Sequence, residues 1–226
     1  VDVAAGASLT AHNTKNLGAS STLDIDGKLI LDQSDAVWNF GNTLGGNGEL
    51  VKQGTGKTVI STNNNGFLGS TTVKTGVLEL GNIGGIGSSS ASIEAAGTLY
   101  LLAGGGFAND VANAGTFNLG ADNIVLGGDL TGAGLVNITH KSILLNGDAS
   151  AYTGAWDVRS GAEAGMSRAT NLGAGAVKVD GKLSLATTVS GHYSWANVLT
   201  GTGVLEIELA SAANNFTFAA GTGAAY

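Results

Sequence analysis

The sequence predicts an all-β fold, a single-stranded parallel β-helix (a solenoid) that forms part of a longer rod. Three observations predict it: glycine and apolar residues are both abundant, apolar residues alternate with period two, and a set of motifs recurs in fixed order. The 226 residues include 38 Gly, no Pro and no Cys; 43% are hydrophobic and only 12% charged. Gly-rich disordered chains lack the apolar residues to form a core, so this composition points to a folded protein with many turns. The lack of Pro suits long hydrogen-bonded ladders, because Pro cannot donate to a sheet. The lack of Cys removes disulfides, thiol nucleophiles and thiolate metal sites.

The first recurring element is apolar-x-apolar-x-Gly-x-Leu-x-Leu. It runs from Leu23 to Leu31 around Gly27, from Ile93 to Leu101 around Gly97, and from Val177 to Leu185 around Gly181. A degenerate copy opens the chain with Val1, Val3, Gly6 and Leu9. The second element, Leu44, Gly46, Gly48, Leu50, matches Leu199, Gly201, Gly203, Leu205, and Leu130, Gly132, Gly134, Leu135 is one residue shorter. The third, Asn65, Phe67, Gly69, Val73, Gly76, matches Ser150, Tyr152, Gly154, Val158, Gly161, and Asn214 with Phe216 starts another. The order holds through three modules, about 21–80, 91–161 and 177–226, within a single segment spanning 1–226. The middle module is longer by the stretch from Asn113 to Leu119. Modules of this length are too long for one solenoid coil and read as three or four coils of roughly 20 residues each, about ten coils in the chain.

Within each motif the alternation is that of strands buried on one face. Leu23, Ile25, Leu29 and Leu31 are expected to face inward, with Asp24, Asp26, Lys28 and Ile30 facing outward. Gly27 is expected to mark a corner whose backbone angles favour glycine. Asp26-Gly27 and Asp180-Gly181 also suit two-residue hairpins, so an antiparallel sandwich or barrel is the competing fold. The solenoid is preferred because the in-out phase is the same on both sides of the Gly and because the modules repeat in order. Helices are disfavoured by the missing 3.6-residue period and the frequency of Gly.

These motifs resemble the passenger domains of autotransporters, the type V secretion proteins of Gram-negative bacteria. The passenger-associated repeat of that family is matched by Leu44, Gly46, Gly48, Leu50, Lys52, Gly54, Gly56 and Ile60, then by Asn65, Phe67, Gly69, Thr71, Val73 and Gly76. The stretch 130–161 fits less well: Tyr152, Gly154, Trp156, Val158 and Gly161 agree, while Lys52 and its Gly pair have no counterpart there. The resemblance implies a right-handed helix, a signal and a covalently linked C-terminal outer-membrane barrel elsewhere in the precursor, and display at the cell surface. It also implies an adhesin or aggregation factor whose segment carries no catalytic activity.

Several constellations bear on chemistry. Gly54-Thr55-Gly56-Lys57-Thr58 resembles the end of a phosphate-binding loop, but Val51 stands where the full motif needs Gly, and a corner with a surface Lys is the simpler reading. Asp24/Asp26 and Glu206/Glu208 each put two carboxylates about 7 Å apart on one strand face, a spacing that suits a glycosidase pair or a shared cation. The repeat does not keep the pair, since only Glu94 and Asp180 echo it, so solvated faces are expected. His12, His140 and His192 share no metal-ligand spacing. Trp38, Phe40, Trp156, Tyr193 and Trp195 read as core stacks, with a sugar platform as the alternative. Asn137-Ile-Thr139 and Asn215-Phe-Thr217 fit a glycosylation sequon that carries no information in a bacterial setting.

The net charge of −7 with no basic stretch speaks against nucleic acid as a partner. No catalytic residue, cofactor or metal site is expected. The expected partners are a second copy of the protein on another cell, or a host surface protein or glycan. The expected role is adhesion, aggregation or biofilm formation, through a polar edge rich in Asn, Ser, Thr and Asp or as a stalk. The alternatives are a segment that seeds passenger folding and a β-helix enzyme acting on polysaccharide.

Overall fold

The computed structural model describes residues 1–13, 17–18, 21–34, 37–187, 191–211, 214–219 and 222. It is all-β, 54% strand, with parallel strands stacked as a β-solenoid of about 10 turns, a parallel β-helix. Every strand pairing among the described residues is parallel, and partners lie about one coil apart in sequence, as in Val3 with Ile25, Leu23 with Leu44 and Ser70 with Ser90. The hairpin alternative fails for this reason. Thr22–Ile25 and Lys28–Asp32 flank Asp26-Gly27 but join different sheets, each pairing with the coils before and after it.

Contacts divide the chain into two compact units, 1–103 with 109–117, and 104–108 with 118–226. In the first, one sheet stacks Asp2–Val3, Thr22–Ile25, Thr43–Gly46 and Gly66–Phe67. Another stacks Ser8–Ala11, Lys28–Asp32, Glu49–Gln53 and the first part of Ser70–Leu80, while Val37–Phe40 and Lys57–Ile60 pair toward the latter part of that strand. In the second unit, one sheet stacks Gly105–Phe107, Ile124–Leu126, Ile143–Leu145, Glu163–Met166, Lys182–Ala186 and Val204–Glu208. A second runs through Leu135–Ile138, Ala155–Val158, Val177–Val179 and Leu199–Thr200.

The inward rows are as the alternation requires. Leu23, Ile25, Leu29 and Leu31 are buried, as are Val177, Val179, Leu183 and Leu185, whereas Asp24 and Asp26 are exposed. Ala95 departs from the pattern. It aligns with Ile25 but is exposed, because the pairing of Ser70–Leu80 with Ser90–Leu101 slips by one residue between Val73 and Thr75. A bulge of this kind pushes one residue out of register while the flanking residues keep their faces.

The glycines answer to two constraints. Gly46 and Gly201, equivalent in the second motif, have φ of 90° and 111°, where an L side chain is strained. Gly27, at the centre of the first motif, has no left-handed backbone. A Cβ there would lie under 3.0 Å from the carbonyl oxygens of Ala4 and Ala7 in the preceding coil. This corrects the expectation that backbone angles select Gly27. What selects it is the close approach of stacked coils. The same holds up the stack, where a Cβ on Gly48 would strike the carbonyl of Gly27 and one on Gly69 the carbonyl of Gly48.

Candidate functional site

Much of the polarity in the sequence is turned inward. Asn42, Asn64, Asn109, Asn171 and Asn197 are buried. Asn64 accepts from the Leu44 N–H at 2.9 Å and donates to the Gly85 carbonyl at 2.6 Å, bridging the coils on either side. Asn109 donates to the carbonyls of Gly87 and Ser89, and Asn197 to those of Gly173 and Gly175. These amides satisfy backbone groups at the corners, where the ladder cannot. Part of the Asn component of the expected adhesive edge is therefore structural, while Asn39, Asn47, Asn63 and Asn65 among others are exposed. The resemblance placed Asn65 in the motif, yet Asn65 is exposed and its neighbour Asn64 makes the bridge.

Lys52 is also internal. It occupies an inward row between Leu31 and Val73 and is fully buried. Its Nζ donates to the carbonyls of Gln53 at 2.7 Å, Gly54 at 2.8 Å and Thr75 at 3.3 Å. Burial lowers its pKa to about 8, with Asp32 acting in the opposite direction. The sequence singled Lys52 out only as part of a resemblance, because a lysine in an alternating strand reads as outward.

Lys57 pairs with Glu79 of the next coil at 2.8 Å, so its ammonium is already engaged by a carboxylate. Asp26 accepts from the Asn47 N–H at 3.2 Å, and Asp180, at the same motif position, accepts from the Thr202 N–H at 3.3 Å. Both carboxylates cap the corner of the following coil. Asp180 also takes a 2.5 Å hydrogen bond from Lys178, which lowers the carboxyl pKa and raises that of the ammonium. Glu206 pairs with Lys182 at 2.8 Å, which holds Lys182 above the usual lysine range, and Glu208 has no ion pair among the described residues. Asp26 shares an outer groove with Lys28 and Glu49, which are engaged with each other, and Glu206 is engaged by Lys182. Among the described residues no group of three His, Cys, Asp or Glu is placed to hold a metal ion.

His12 Nδ1 lies 2.8 Å from the Asp32 carbonyl, His140 Nδ1 lies 3.0 Å from Thr139 Oγ1, and His192 Nε2 lies 3.5 Å from Thr217 Oγ1. The three sit on different coils with local partners. Trp38, Phe40, Trp156 and Trp195 are buried, which removes them as a sugar platform. Trp38 packs edge-on against Phe40, and Trp156 against Tyr152, each at 5.7 Å. Trp156 Nε1 donates to the Leu172 carbonyl at 2.9 Å and Tyr152 OH to the Gly134 carbonyl at 2.7 Å. Tyr193 is half-buried.

Each unit carries an open groove on an outer face. In the first unit, Asp26, Lys28, Asn47, Glu49 and Ser70 line one of about 550 Å³, crossed by the Lys28–Glu49 ion pair at 2.7 Å. In the second unit, Ser142, Leu144, Glu163, Gly165, Lys182 and Ser184 line one of about 270 Å³. Its rim carries the Lys141–Glu163 pair at 3.2 Å. Ser142, which lines this groove, and Asn123 are the only described non-glycine residues with left-handed backbone. Both grooves open broadly to solvent and suit an extended partner more than an enclosed small substrate. No family model, curated protein or solved structure matches the chain.

Proposed function

We propose that the chain is a segment of an autotransporter passenger displayed at the surface of a Gram-negative bacterium, acting in adhesion, aggregation or biofilm formation. The observation that carries this reading is the structural use of the residues behind the resemblance. Gly46, Gly48, Gly54, Gly69 and Gly76 stand where a Cβ would collide with an adjacent coil, and Lys52 closes a corner from inside. A motif that builds coils leaves function to the outward rows, and those rows carry shallow, charged grooves. Side chains such as Lys28, Glu49, Lys182 and Glu206 form solvent-facing ion pairs within the chain; contacts that such charges make with a partner are weak singly and gain strength in arrays of copies on a cell.

The test is a settling assay on bacteria displaying the whole passenger, with residues 1–226 intact or deleted and display verified by surface antibody. Deletion that stops settling while display persists supports the adhesive reading. Settling that persists removes the segment from self-association and leaves it a spacer or a binder of some other partner. Loss of display assigns it the folding role, in which its coils template those upstream.

A further inference from the structure

Gly165 has no role in the fold that requires glycine. It lies in mid-strand on the outward face of Glu163–Met166, and its backbone is not left-handed. A Cβ there would meet only the Ser184 hydroxyl at 3.3 Å, a rotatable group. Glycine inside a strand weakens it, and such a glycine marks a bulge, a bend or a place where a ligand or another backbone approaches closely; this strand pairs with both neighbours without a register shift. Beside this notch, one coil earlier in the same outward row, stands Leu144, an apolar side chain 40% exposed. The row thus holds a knob next to a hole, and the groove of about 270 Å³ is the hole.

Alongside runs a column of charges from four successive coils. Asp122, Lys141, Glu163 and Lys182 alternate in sign up the stack. Their order is fixed by the Lys141 N–H bond to Asp122 at 2.8 Å, the Lys141–Glu163 pair, and the register partnership of Glu163 with Lys182. Consider a two-fold axis along the strand direction, midway between Leu144 and Gly165. It brings a second copy face to face with the order of coils reversed. Leu144 of each copy then enters the notch at Gly165 of the other. Lys141 meets Glu163, and Asp122 meets Lys182. Every charge in the column faces its opposite, which is the self-complementarity that a two-fold interface demands.

We infer that this face, Leu144 and Gly165 flanked by Asp122, Lys141, Glu163 and Lys182, is a docking surface for a second, antiparallel copy of the same chain. The inference rests on the self-association branch of the reading above and names its surface. The present ion pairs are solvent-exposed, so exchanging them for pairs across the interface costs little. One such contact is small, so the dimer is weak in solution and becomes effective through many copies on apposed surfaces.

The test is sedimentation equilibrium on the purified chain over about two decades of concentration, with circular dichroism and melting as checks on folding. The wild type is expected to show a monomer–dimer equilibrium. Gly165→Leu fills the notch and is expected to abolish it; Lys74→Glu, a charge change in the first unit, is expected to leave it unchanged. Lys141→Glu and Glu163→Lys alone are each expected to weaken association by about tenfold or more. An equimolar mixture of those two variants restores both opposite-charge contacts across the interface, while repairing nothing within either chain. Recovery in the mixture supports the surface. A wild type that stays monomeric, a Gly165→Leu variant that dimerises normally, or a mixture no better than its components overturns it. A monomeric chain would still leave adhesion to the settling assay, so the two failures are separable.

Discussion

The ammonium of Lys52 donates to the carbonyl of Gly54 at 2.8 Å from inside the coil, closing a corner that has no side chain of its own. Burial lowers the Lys52 pKa to about 8, against 10.5 for a free lysine. Between those two pH values the unfolded chain holds a proton that the folded chain has released. Stability contributed at this residue therefore rises as pH increases from about 8 to about 10.5, and below 8 the cost of burying the charge is fully present. The amplitude is roughly 3 kcal/mol. The measurement is the difference in urea unfolding free energy between wild type and Lys52→Met at pH 7 and pH 10. The wild type should gain on the variant at the higher pH. A difference that stays flat across the interval would show that Lys52 is solvated.

Coil stacking predicts opposite signs for two glycine substitutions. Gly48→Ala drives a methyl into the backbone of Gly27, with no flexible side chain to give way, and should cost about 2–3 kcal/mol or more. Gly41→Ala places its methyl in open space on a backbone that is not left-handed, and should stabilise by about 0.4–1 kcal/mol through the unfolded state. Thermal melts of the two variants decide it. Equal effects would mean that the coils can separate to admit a methyl.

Period-two alternation was enough to place Leu23, Ile25, Leu29 and Leu31 inside, because a slip of one residue would expose them all. Repeat order was enough to choose stacked coils over hairpins at Asp26-Gly27 and Asp180-Gly181. The destination of the polar residues was not legible. Asn64 and Asn65 are the same residue type, and only the third dimension shows that one meets Leu44 and Gly85 while the other meets solvent. The burial of Lys52 depends on three carbonyls drawn from two coils, which no local pattern encodes. The notch at Gly165 was hidden for the opposite reason. In a chain with 38 Gly, the pattern alone does not separate a glycine with room for a side chain from one held by the close approach of the next coil.

The two adjacent asparagines give a direct comparison. Asn64→Ala leaves the Leu44 N–H and the Gly85 carbonyl without their side-chain partner in a buried setting, and should destabilise by about 2–3 kcal/mol. Asn65→Ala, on the surface, should fall within about 0.5 kcal/mol of wild type. If the order is reversed, the motif asparagine rather than its neighbour carries the corner.

Lys57 and Glu79 allow the phosphate-loop resemblance to be tested. The Glu79 side chain is only 9% exposed and is met by Lys57 at 2.8 Å. Removing the cation alone strands a nearly buried carboxylate, so Lys57→Ala should cost about 1–3 kcal/mol, and Lys57→Met with Glu79→Met should recover most of it. A nucleotide would have to compete with Glu79 for the same ammonium, on a strand with no helix behind it to supply N–H groups. Magnesium–ATP at millimolar concentration should therefore leave the wild-type melting temperature unchanged. A rise of several degrees that disappears in Lys57→Ala would instead assign Gly54-Thr55-Gly56-Lys57-Thr58 to phosphate and make the ion pair with Glu79 its resting state.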